Sequence, residues 1–79
     1  MTDDDAVHLR RIEPRRRMWR FYALALQPTL FGGVDVIRRW GRVGTRGRGQ
    51  ALVESFADQD AARSALETWT MKKRRRGYI

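Results

Sequence analysis

Cysteine is absent from this 79-residue chain. Its absence excludes disulfide frameworks, thiolate nucleophiles and Cys-ligated metals. Histidine is scarce too: His8 stands alone, so multi-His metal sites and imidazole pairs are excluded. Acidic residues are outnumbered, with nine Asp and Glu against seventeen Lys and Arg, for a net charge of +8. No apolar run approaches the roughly 18 residues of a membrane span. The acidic start, Met1-Thr2-Asp3-Asp4-Asp5, is the opposite of the basic start of a secretory signal. The Arg-rich, Cys-free composition is compatible with the cytoplasm of a bacterial cell, with association to the nucleoid open. No evident pocket carries paired carboxylates, so an enzyme is not expected, nor a cofactor or metal.

What is present is a small globular composition, 42% hydrophobic and 33% charged. The length allows one domain at most. Residues 1–6 read as a disordered acidic tail and residues 7–79 as the domain. Val7 to Ile12 alternates as a short strand that ends at Glu13-Pro14. Met18 to Gln27 is a longer strand candidate with Tyr22, Leu24 and Leu26 on one face. Its other face carries Trp19, Phe21, Ala23 and Ala25, so both faces are expected to be covered at least in part. Pro28 ends it and Gly32-Gly33 marks a turn. Val34 to Val43 and Gln50 to Phe56 read as a hairpin around the Gly-rich stretch from Gly44 to Gly49. Asp58 is a good helix N-cap. Ala62, Ala65, Leu66 and Trp69 give the helix its apolar stripe, and Gly77 ends it. The expected fold is α+β: an antiparallel sheet of about four strands with one C-terminal helix on one face. The second sheet face then has no helix to cover it. In a basic domain, that face is a natural place for a partner.

One stretch of the third strand carries chemistry. With period two, Arg38, Trp40 and Arg42 share a face, while Ile37 and Val43 suit the core. A tryptophan bracketed by two guanidiniums suits stacking on a sugar or base with phosphates clamped beside it. Gly41 permits close backbone approach. The structural alternative is that Trp40 belongs to the core and the arginines form a solvated face. Arg46 and Arg48 in the Gly-rich tip add two cations that suit a phosphate backbone. Two further basic clusters are the connection Arg15 to Arg17 and the helix end Lys72 to Arg76, the latter less specific because helix C-termini favour cations in any case.

The run Trp40-Gly41-Arg42-Val43-Gly44 resembles the signature of the WGR domain, found in DNA-damage-dependent poly(ADP-ribose) polymerases and in small bacterial proteins. Arg20-Phe21-Tyr22 resembles the family's early aromatic pair. Pro28-Thr29-Leu30-Phe31-Gly32-Gly33 is similar to a loop of short bacterial members. Ala61 and Ala62, Lys72 or Lys73, and Gly77-Tyr78 fit its helix start and its close. The resemblance runs from about Leu9 to Tyr78. It implies a sheet with a packed helix and a DNA-binding role, in which Trp40 packs on the sugar at a 5′ strand end and Arg42 contributes to DNA and interdomain contacts. It does not carry polymerase activity, since no catalytic region is present. The combined expectation is a non-enzymatic nucleic-acid-binding module for DNA backbone or strand ends. The binding residues would be Arg38, Trp40, Gly41, Arg42, Arg46 and Arg48. RNA stays open as a ligand. The alternative is a protein-interaction module with an acidic partner.

Overall fold

The computed structural model describes residues 5–44 and 49–79. Four strands, β1 (Ala6–Glu13), β2 (Met18–Pro28), β3 (Val34–Arg42) and β4 (Gln50–Phe56), precede one helix, α1 (Gln59–Arg75). The strands form one antiparallel sheet in the order β1-β2-β3-β4. This is the α+β architecture expected above. Short connections leave each strand beside its sequence neighbour.

Several boundaries differ from expectation by one residue: β1 runs one residue further at each end, β2 includes Pro28 and β3 stops one residue earlier. Ala6 already belongs to β1, where it pairs with Ala25. Asp5 forms an ion pair with Arg63 of the helix at 2.9 Å. Both residues are therefore part of the domain rather than of a tail. Strand β3 ends at Arg42, although the Val43 amide still donates to the Trp19 carbonyl at 2.9 Å. Between β1 and β2 the chain makes a short 3-10 turn, Pro14–Arg16, closed by Arg17 at a φ of 52°.

The helix covers one sheet face. Its Ala62 and Leu66 are buried against Leu9, Tyr22, Leu24, Leu26, Val34 and Val36. β2 lies centrally, but only this face of it is covered. Direct cross-strand partners point the same way, so the register decides which β3 residues join the core. Tyr22 faces Trp40, Leu24 faces Arg38 and Leu26 faces Val36. The Arg38-Trp40-Arg42 row therefore lies on the helix side of the sheet, with Arg38 alone buried, and Ile37 is on the open side. This reverses the expectation that Ile37 and Val43 mark the core. Strand β3 is apolar on both parities, because Val34 and Val36 share a row with Trp40. Read with β2, the row continuous with Tyr22, Leu24 and Leu26 is the larger, and the helix packs there.

Both helix ends are closed as expected. The Asp58 carboxylate accepts from the Ala61 amide at 2.8 Å. At the other end Gly77 takes a φ of +97°, which a residue without Cβ adopts readily. This turns the chain back, and Ile79 exchanges two backbone hydrogen bonds of 2.8 Å with Arg10 of β1. Tyr78 is thereby laid on the sheet. Replacing Asp58 by Ala should cost about 1 kcal/mol of stability, read as a lowered thermal midpoint with an unchanged circular dichroism spectrum.

Candidate nucleic-acid interface

The candidate site grows from Tyr22. Its ring stacks on Trp40, with centroids 5.9 Å apart and planes 20° from parallel. Tyr78 meets it edge-on at 6.2 Å. The Lys73 ammonium lies 4.5 Å from the Tyr22 centroid and 5.8 Å from that of Tyr78. Both distances are within reach of cation–π attraction. Strands place Tyr22 and Trp40, the helix places Lys73, and the returning tail places Tyr78.

Around these rings opens a cleft of about 290 Å³, whose cationic lining is Arg11, Arg20, Lys73 and Arg76. No carboxylate lines it. Glu13 is engaged nearby, with its carboxylate 3.2 Å from Arg11. Arg20 and Arg42 are direct cross-strand partners, which sets two guanidinium side chains on neighbouring strands at this end of the sheet. The Arg11 Nε is buried and has no hydrogen-bond partner among the described residues. Such a rim is suited to an anion, and the rings give it a flat apolar wall.

Lys73 responds to the crowding of positive charge. Burial is the main cause that holds its pKa below the usual 10.5, and the neighbouring Arg76 and Arg38 lower it further. An anion in the cleft would oppose the contribution of the two arginines.

Sequence-expected residues fall in different places. Trp40 is half-buried and lines the cleft, with Gly41 beside it. A Cβ at Gly41 would lie 3.0 Å from the Gly49 Cα and 3.4 Å from the Phe21 ring. The close approach that Gly41 permits is thus internal to the sheet. Arg42 is exposed on the same row, at the end of β3. Arg38 is not a surface contact. It is only 9% exposed, its guanidinium lies 3.9 Å over the Trp69 ring, and its Nη1 donates to the Tyr22 hydroxyl at 3.3 Å. The helix above β3 is what encloses it. Arg46 and Arg48 lie outside the described residues.

Sequence reasoning did not name Arg11, Arg20, Tyr22 or Tyr78 as site residues, and it raised Lys73 and Arg76 only within the less specific cluster Lys72 to Arg76. Alternation places Arg11 with Leu9 and Arg20 with Tyr22. Their convergence with the helix end depends on the sheet register and on the backward turn at Gly77.

An α+β fold with a cationic, ring-walled cleft has the lining of an anion-binding domain. Comparison with known proteins agrees. The family model of the WGR domain matches residues 5–79. A relative, "Uncharacterized protein y4dW" of Sinorhizobium fredii (strain NBRC 101917 / NGR234), is 41% identical over 73 residues, covering 91% of this chain and 34% of that protein. The chain thus spans about a third of the length of this relative. No solved structure matches it. The chain belongs to the WGR domain family, a nucleic-acid-binding type of module.

The lowered pKa of Lys73 sets a pH dependence. The unfolded chain holds its lysine proton up to 10.5 while the folded chain releases it earlier. Below the folded pKa the full penalty of charging Lys73 is present. It is relieved as pH rises toward 10.5, so stability should gain from this group across that window. Denaturant titrations from neutral to alkaline pH should show this gain in the native chain relative to a Lys73→Gln variant.

Proposed function

We propose that this domain binds DNA through the helix-side cleft, without catalysing a reaction, and that it takes hold of the backbone at a strand end. One observation carries the reading. Arg11, Arg20, Lys73 and Arg76 converge from two strands and the helix end on the rings of Tyr22, Trp40 and Tyr78, with no carboxylate in the lining. Cations of this kind neutralise phosphates, while a ring wall packs against a sugar or a terminal base. Trp40 supplies that wall at the place where the family resemblance puts the sugar contact. Arg42 adds a guanidinium on the same row.

The cleft is a depression at one end of the sheet, and it is lined from three sides. Such a shape accepts a chain terminus more readily than the middle of a duplex. Cation–phosphate and ring–sugar contacts suit this lining, and contacts to phosphate and sugar carry no sequence information directly. The expected readout is affinity with weak sequence dependence.

Two measurements test this reading. A short duplex with a free, 5′-phosphorylated end should bind more tightly than a closed dumbbell of the same sequence. If about four phosphates are neutralised, the log–log salt slope should be roughly −3.6. Equal binding to both forms would remove the preference for ends, and a salt-insensitive affinity would remove the phosphate clamp. The exposed Arg20 and Arg76 allow a cleaner test than Trp40, whose stack with Tyr22 supports the fold. Arg20→Glu or Arg76→Glu should each weaken binding by about tenfold or more, on the scale of hydrogen bonds to charged groups, with a thermal midpoint kept or raised because each removes a repelling cation.

A further inference from the structure

We propose that the open face of the sheet, opposite the helix, is a second binding surface, and that its ligand is single-stranded nucleic acid. This face has its own relief. Two hollows, of about 300 and 310 Å³, lie along it and share His8 and Ala23. Their floor is the central strand, where Ala23 and Ala25 leave a trough between taller neighbours. Arg10 of β1 lines the first hollow and Arg39 of β3 the second. Both arginines are exposed.

Aromatic rings stand at one end of the trough. Phe21 lines the first hollow, and its ring reaches across Gly41 toward Gly49. A Cβ at Gly49 would come within 3.1 Å of that ring. The two glycines therefore let the ring lie across the neighbouring strands. Trp19 follows on the same face, 42% exposed, beside Ile12. Just before it in the chain come Arg15, Arg16 and Arg17, all exposed. From Trp19 to Ala25 the path is about 20 Å long.

Charge selects the occupant. The one acid on the strands of this face among the described residues is Asp35, and it accepts a hydrogen bond from the Ser55 hydroxyl at 2.7 Å. The remaining charged groups on the face and its adjoining turn are arginines. Rings spaced two residues apart on a strand, flanked by guanidiniums, offer π-faces for unpaired bases and cations for the phosphates between them. A duplex keeps its bases stacked inward and has no use for the rings. An acidic peptide would satisfy the arginines but leave the rings without a planar partner.

The test uses a circular oligothymidylate, which has no end for the helix-side cleft. Its failure is therefore separable from that of the end-binding reading. Binding is followed by fluorescence anisotropy of a dye on the circle at low salt. Trp19→Ala is expected to weaken binding by about fivefold or more, the lower range for loss of one stacked base. An Arg10→Glu, Arg39→Glu double variant is expected to weaken it further, while Arg76→Glu leaves it intact. The double variant changes only exposed side chains, so it carries the test if Trp19→Ala alters the fold. A circular oligouridylate binding as well as, or better than, the DNA circle supports the same surface and identifies the sugar it takes. No binding of either circle overturns the proposal. So does binding lost in Arg76→Glu and kept in the double variant, which would put the strand in the helix-side cleft. Displacement of the circle by an equal concentration of oligoglutamate overturns it in favour of an acidic protein partner.

Discussion

Tyr22 is the side chain on which the rest of this structure depends. It is buried at the centre of β2. Its ring is the floor for Trp40, the edge-on partner of Tyr78 and a seat for Lys73. Its hydroxyl accepts from Arg38, which in turn lies under Trp69 of the helix. Sheet, helix and returning tail thus meet at one phenol. A ring can do this because it has two apolar faces and a polar tip. Tyrosine serves where phenylalanine would leave the Arg38 guanidinium without that acceptor.

The buried Arg38 follows from the same geometry. No carboxylate pairs with it among the described residues, and its Nε has no hydrogen-bond partner there. The rings of Trp69 and the Tyr22 hydroxyl are what offset the loss of its hydration. A charge held this way keeps the region beneath the helix end positive. Lys73 and Arg76 sit in that region, with Arg11 and Arg20 opposite. The cleft is therefore built against its own repulsion, and core packing holds it together. Sites of this kind accept some instability in the empty state so as to be complementary to the ligand.

Much of the fold was legible in the sequence. Alternation in Met18 to Gln27, the glycines that follow it and the Asp58 cap mark elements whose causes are local. Strand β4 and the N-terminus of the helix lie where the pattern placed them. The candidate site was legible in part. Trp40 and Arg42 stand out by type and spacing, whereas Arg38 has the same parity but a different fate. It sits two residues deeper under the helix, a distance that alternation cannot report. Open-face residues such as Trp19 were visible as one of two apolar rows, with nothing local to say which row would stay uncovered.

The sequence by itself determined the kinds and order of elements, the excess of positive charge and the rows that each strand presents. These depend on neighbours a few residues away, through pleat, capping and turn chemistry. Only the tertiary structure decided which row the helix covers and which cations meet. Those outcomes come from the β2–β3 register and from the turn at Gly77, which carries Tyr78 back beside Tyr22. Each joins residues far apart in the chain, so its free energy is a property of the packed whole and of no single segment.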